Sequence, residues 1–175
     1  MARTRTRNPH AALSGEGLSK VYPMITAPAP LLTERDHAIL FGLARQAGLH
    51  TAAYYQELHD KLRRAVVIHL DQVEPDLVTI GSFVRYRVNG GRPMEHKLML
   101  GSRHGQEHHT LSIKTQRGLA LIGMREGHIF STMHPGDVQE VMEIEMIMFQ
   151  PEADGDAIRP GSWLGGDPGQ NKEHV

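Results

Sequence analysis

Residues 111–137 read LSIKTQRGLALIGMREGHIFSTMHPGD. Leu111, Ser112 and Ile113 make a short strand, and Thr115 follows as a hydroxyl suited to capping a helix start. The small-residue run over Gly118, Leu119, Ala120, Leu121 and Ile122 predicts a short helix, stopped at Gly123. Glycine is the residue that best accepts the left-handed backbone of a helix end. Gly127 marks a second turn, Ile129 and Phe130 resume a strand, and His134-Pro135-Gly136-Asp137 closes a hairpin.

Working outward, strands continue on both sides. Val78, Ile80, Val84, Tyr86 and Val88 alternate with Thr79, Gly81, Arg85 and Arg87, which predicts one strand with a single buried face. Asn89-Gly90-Gly91 is a hairpin turn signal, and an apolar strand resumes over residues 97–100. Met142, Ile144, Met146 and Met148 alternate with Glu143 and Glu145, which predicts a half-buried strand whose soft face packs in the core. One short helix against a mostly antiparallel sheet is an α+β module, assigned to residues 68–152.

Residues 31–67 read differently. Thr33 caps a helix, and Asp36 three residues on fits a capping box. Ile39, Leu40, Leu43, Ala44 and Ala47 recur at helical spacing, and Gly48 suits the stop. Thr51 caps a second helix with an apolar stripe of Tyr54, Tyr55, Leu58, Leu62 and Ala65. So short a connection makes the two helices antiparallel neighbours. The stripes are narrow, which predicts an arm of about 22 Å projecting from the sheet rather than a buried bundle.

The ends look like tails. Residues 1–30 are interrupted by Pro9, Pro23, Pro28 and Pro30, and Arg3, Arg5, Arg7 and Lys20 outnumber Glu16. That bias allows at most an indirect, sequence-independent contact with nucleic acid. Residues 153–175 are rich in glycine and proline and hold the lone Trp163. Trimming residues 1–28 and 158–175 is therefore expected to change stability little.

Composition removes several function classes. Charged residues make up 22% and the net charge is -1, so no global field drives the chain onto nucleic acid or anionic membrane. The absence of cysteine excludes a disulfide framework, a thiolate nucleophile and a cysteine zinc site. No apolar run approaches the ~20 residues that span a bilayer, so no membrane partner is expected. Gly90-Gly91 and Gly165-Gly166 lack the Lys-Ser/Thr of a phosphate loop, and no Gly-x-Ser-x-Gly elbow occurs. His104, His108 and His109 cluster in a glycine-flanked loop, and neutral imidazoles at that spacing can bind a transition metal. Without a second matched motif, a solvated loop is the plainer reading, and no cofactor is expected.

Residues 111–137 resemble the C-terminal domain of the Gre transcript-cleavage factors. Their pattern there is strand, Ser-Pro, a helix ending Ala-Leu-Leu/Ile-Gly, Gly-Asp, strand, Pro-Gly. Residues 150–156, Gln-Pro-Glu-Ala-Asp-Gly-Asp, resemble the Gln-Pro-Glu-Ala-x-Gly-Asp ending of the Rnk-type relatives, first named as regulators of nucleoside diphosphate kinase. The resemblance spans residues 31–156.

The resemblance implies an FKBP-like fold for the sheet domain and a cytoplasmic, monomeric protein that docks on core RNA polymerase. A Gre factor inserts its helical hairpin into the polymerase secondary channel and grips the channel rim through the Ser-Pro helix start. The matching surface here is Lys114, Thr115, Gln116 and Arg117, with Thr115-Gln116 where Ser-Pro is usual. Acidic residues at a Gre tip help hold a second magnesium ion against the RNA. The corresponding turn offers Arg45, Gln46, Leu49 and His50 and no carboxylate, with Asp36 and Glu57 the nearest acids. Glu57 lies ~9 Å along its helix from Thr51. The resemblance therefore implies a non-enzymatic regulator that competes with Gre factors without stimulating cleavage. An FKBP-like fold also invites a prolyl-isomerase reading. That chemistry needs an apolar pocket lined by rings, and Phe83, Tyr86, Phe130 and Phe149 show no cluster in sequence.

Overall fold

Thr33 ends β1 (Leu31–Thr33) and starts α1 (Glu34–Ala44), its hydroxyl accepting from the Asp36 backbone N–H at 3.0 Å. Thr51 does the same for α2 (Ala52–Arg64), accepting from Tyr54 N–H at 3.2 Å. Gly48, between the helices, has φ +86, the left-handed turn expected of it. The chain then enters β2 (Val66–Ile68), which pairs parallel with β1, so the helix pair is clasped at its base. The computed structural model describes residues 24–46, 48, 50–101, 109–134 and 138–153. Residues 1–23 and 154–175, with Trp163, lie outside them.

The two helices do not stand away from the sheet as a free arm. Leu40, Leu43, Tyr54 and Leu58 are buried in the same core as Val84, Leu119 and Ile144. Tyr54 Oη donates to Ile113 O at 3.0 Å, and Lys61 Nζ donates to Ala120 O at 3.2 Å and Ile122 O at 2.6 Å. Lys61 joins Tyr54 and Leu58 on the buried face of α2 and widens it beyond the apolar stripe. It is 4% exposed, and its stem packs while its head meets carbonyls at the end of a helix.

A short 3₁₀ turn (Leu70–Gln72) leads to the main sheet. Its strands are β3 (Phe83–Val88), β4 (Met94–Met99), β5 (Thr110–Ser112), β6 (Ile129–His134) and β7 (Val138–Phe149). The order is β5-β4-β3-β7-β6. Within this sheet, among the described residues, only the β4–β5 pair is parallel. Asn89 and Gly90 have φ 53 and 65, and Gly91 N–H donates to Val88 O at 2.9 Å, closing the β3–β4 hairpin as the sequence predicted. The β6–β7 register runs from Ile129↔Glu143 to His134↔Val138, with the turn at residues 135–137 outside the described set. Among the described residues the fold is therefore α+β, three α-helices and a five-stranded, mostly antiparallel sheet.

The alternation over residues 78–88 is not one strand. Gly81, at φ +105, and a Ser82 N–H to Thr79 O bond of 3.2 Å break it. Val78 and Ile80 stay buried because the preceding segment bonds elsewhere, Val78 N–H to Met124 O and Gly123 N–H to Val78 O, both at 2.9 Å.

The Met stripe also splits. β3 faces β7 with Tyr86↔Ile144 but Arg85↔Met146, and Val84↔Ile147 but Phe83↔Phe149. Two bulges thus pass over Glu145 and Met148, and each shifts the faces by one residue. Met142 and Ile144 are buried, whereas Met146 and Met148 are 46% and 42% exposed.

α3 (Gln116–Leu121) sits where the sequence placed it, with Thr115 Oγ1 accepting from Gly118 N–H at 3.2 Å. A Cβ on Gly118 would lie 2.2 Å from Ser112 O, so the helix start and β5 approach as only glycine allows.

The Gln150-Pro151-Glu152 signature closes the fold. Glu152 accepts from Arg35 and from Thr79 Oγ1, the latter at 2.6 Å, and Gln150 Nε2 reaches Thr79 Oγ1 at 3.3 Å. Arg35 also meets Asp36 Oδ1 at 3.1 Å, and Asp36 Oδ2 accepts Ile80 N–H at 3.2 Å. Asp36 is thus not the second half of a capping box. It ties α1 to the turn before β3.

The N-terminal tail is shorter than read from sequence. Ile25 O accepts from Ser131 N–H at 2.8 Å, Ile25 N–H donates to Ser131 Oγ at 3.0 Å, and Arg64 Nη1 holds Ala27 O at 3.1 Å. Trimming residues 1–28 is therefore expected to cost about 1–2 kcal/mol relative to trimming 1–23 alone. A lower urea midpoint for the shorter chain checks it.

Candidate functional site

The start of α3 is built from local chemistry. Thr115 is exposed and donates its own hydroxyl to Ser112 O at 2.7 Å while capping the helix. Lys114 is half-buried, and its backbone N–H donates to Ser112 Oγ at 3.2 Å. Arg117 lies bidentate on Glu140 of β7, Nε at 2.8 Å and Nη2 at 2.6 Å. The hydrogen bond to Glu140 raises the Arg117 pKa, against its partial burial. Gln116 differs from its neighbours: it is 7% exposed, and its Oε1 has no hydrogen-bond partner. Of the four residues read as a surface, three face outward and one faces in.

Sequence reasoning missed what surrounds Arg117. His96 Nδ1 sits 3.1 Å from Tyr86 Oη, and burial, then the charges of His109 and Arg117, lower the His96 pKa. Burial pushes the Tyr86 hydroxyl up to about 12. Strand alternation places Tyr86 inward, whereas the partners of His96 and Glu140, Val84 on β3 and Thr132 on β6, follow from the β3–β4 and β6–β7 registers.

At the helix-pair turn, Arg45 is exposed and Gln46 O accepts from Tyr55 Oη. The His50 ring lies tilted by 35° against Tyr54, centres 4.4 Å apart, and meets Tyr55 edge-on at 5.9 Å. Leu49 lies outside the described residues, as does Ala47. The nearest acids serve other contacts. Asp36 is at the far end of α1, and Glu57 Oε1 accepts from Thr132 Oγ1 at 3.2 Å. Burial pushes the Glu57 carboxyl up, with Lys61, one helical turn on, pulling against it.

His104 and His108 lie outside the described residues, and His109 opens into β5. Among the described residues no group of three or more His, Asp or Glu gathers as a metal site. The aromatic residues disperse: Tyr86 and Phe130 are buried in the core, while Lys97 Nζ lies 5.8 Å over the Phe149 ring. No helix among the described residues is long and apolar enough to cross a membrane.

No family model matches the chain. Over 121 residues it is 30% identical to the regulator of nucleoside diphosphate kinase of Escherichia coli strain K12, a match covering 69% of this chain and 87% of that relative. The Shigella flexneri protein of the same name matches with the same identity and coverage. The chain belongs to the regulator of nucleoside diphosphate kinase family. Among solved structures, the prokaryotic transcription elongation factor GreA/GreB from Nitrosomonas europaea aligns with a TM-score of 0.53 at 23% identity, covering 70% of this chain and 100% of that one. That likeness establishes a shared fold. This regulator-family chain therefore carries a GreA/GreB-like architecture, and the names of its relatives are those of a regulator and a transcription factor rather than an enzyme.

Proposed function

We propose that this chain is a cytoplasmic transcription regulator that docks on core RNA polymerase at the secondary-channel entrance, competes there with Gre factors and does not stimulate transcript cleavage. The observation that carries the reading is a helix-pair turn without a carboxylate, residues 45–51, on a GreA/GreB-like fold. Holding a second magnesium ion against RNA needs converging oxygen ligands on a hard cation. Arg45 repels such an ion. The helices add a distance problem: at 11 and 13 residues they reach only ~16–20 Å.

Lys114, Thr115 and Arg117 form the proposed contact, with Gln116 behind them. The sheet domain is the FKBP-like module of that reading, the turn at Arg45, Gln46, Leu49 and His50 is the channel-facing tip, and the protein acts as a monomer. Nucleic acid is met only through polymerase.

Two measurements test this. Purified protein should bind core polymerase and be displaced by a Gre factor, and Lys114→Glu should weaken binding several-fold. Arg117→Glu is the poorer variant, because it sets a second carboxylate against Glu140. Backtracked complexes given the protein should keep full-length RNA, and a Gre factor added afterwards should cleave more slowly. Short RNA fragments released by the protein alone would overturn the reading of the tip, and unimpaired binding by Lys114→Glu would move the interface elsewhere.

A further inference from the structure

Glu140 of β7 is the acid beneath Arg117. Its side chain is 8% exposed, while that of Arg117 is 34% exposed. The carboxylate takes the Nε and Nη2 edge of the guanidinium. A guanidinium carries five N–H donors in a planar fork, so the pair fixes Arg117 without using its Nη1 edge. Lys114 lies just before the helix and adds a second cation. Two other acids of the sheet, Glu95 and Glu145, are taken by Arg85 and Arg87. Burial and the charges of His109 and Arg117 lower the His96 pKa, so His96 adds no charge at neutral pH. Among the described residues, two full cations, Lys114 and Arg117, thus meet one carboxylate at this surface.

One positive charge in excess suits a partner that brings a carboxylate. Nucleic acid is the poorer match, because two cations are few for tracking phosphates and a net charge of -1 supplies no wider field. A carboxylate arriving on the Nη1 edge leaves Glu140 paired, so docking strands no buried charge. Resting on the docking reading above, we propose that polymerase presents a carboxylate to Lys114 and to the open edge of Arg117, and that Glu140 both fixes Arg117 and holds the attraction down.

Glu140→Gln keeps an acceptor for Arg117 and removes the charge. With the full chain and core polymerase it should bind several-fold more tightly than the parent at about 0.05 M salt, and the gain should fade toward about 0.5 M as the charges are screened. Arg117→Lys keeps the charge and loses the fork, so one head cannot serve Glu140 and a partner together. It should bind several-fold more weakly at the lower salt. Melting curves establish that the variants are folded, and either one alone decides if the other is not. A parent chain that does not bind polymerase overturns the docking reading and this proposal with it. Binding by the parent with no low-salt gain in folded Glu140→Gln, or undiminished binding by folded Arg117→Lys, overturns this proposal alone. So does an equal gain of Glu140→Gln for a bare RNA–DNA duplex, which would make phosphate the ligand.

Discussion

Gly118→Ala should lower stability by roughly 3–5 kcal/mol, a fall in melting temperature of ~6–20 °C for a chain of this size. The added methyl would stand 2.2 Å from Ser112 O and 2.7 Å from Ser112 C, both backbone atoms. A flexible side chain could move aside, but this backbone cannot easily. Ser112 O already accepts from Thr115 N–H at 3.0 Å and from Thr115 Oγ1 at 2.7 Å, which sets the helix cap. Retreat of the strand would therefore loosen the cap of α3 as well. Gly42→Ala is the control. Gly42 lies inside α1 with nothing within 4 Å of its added Cβ, and that change should stabilise by about 0.5–1 kcal/mol. Calorimetry of the two variants checks both signs, and a Gly118→Ala protein melting with the parent would show that β5 and α3 can separate freely.

Arg35→Met should cost about 3 kcal/mol near neutral pH, because it leaves two carboxylates facing each other away from water. The side chains of Asp36 and Glu152 are each 1% exposed, and Arg35 bridges them. The loss should be pH-dependent. Burial raises the Asp36 carboxyl from 3.8 to about 6, with Arg35 pulling against it. Between those values the folded chain holds more protons than the unfolded one, so this group's contribution to stability falls as pH rises. Without the guanidinium the folded value moves higher still, and the window extends toward neutrality. The penalty of Arg35→Met should then shrink between about pH 7.5 and about pH 5.5. Urea midpoints of parent and variant at the two pH values measure it, and a penalty that grows on acidification would reverse the assignment.

What was legible in the sequence was local. Thr33, Thr51 and Thr115 cap their helices, Gly48 turns the helix pair, and Asn89-Gly90 closes its hairpin, because each of these choices is made by one residue and its near neighbours. What was missed depends on distant partners. Nothing near Lys61 announces that it will meet Ala120 O and Ile122 O, and nothing near Asp36 announces Ile80 N–H. The bulges over Glu145 and Met148 are set by pairing with β3, so the period-2 pattern of β7 could not show where Met146 and Met148 leave the core. At the candidate site the same division holds. Thr115 as a cap was readable, while the burial of Gln116 and the Arg117–Glu140 pair required the β7 register.

Tyr54 and Lys61 bond α2 to the neighbourhood of α3 inside one core, so the helix-pair turn and the α3 start are joined by packing rather than by a tether. Two contact surfaces on a flexible linker meet a partner at an effective concentration set by chain statistics. Surfaces held by a packed core have already lost that freedom during folding, so a second contact adds little ordering cost to the first. In the proposed docking, a partner whose two patches match the spacing of these surfaces gains avidity from both. One whose patches are spaced differently gains nothing from the second, which makes the separation of the two surfaces itself a filter on partners.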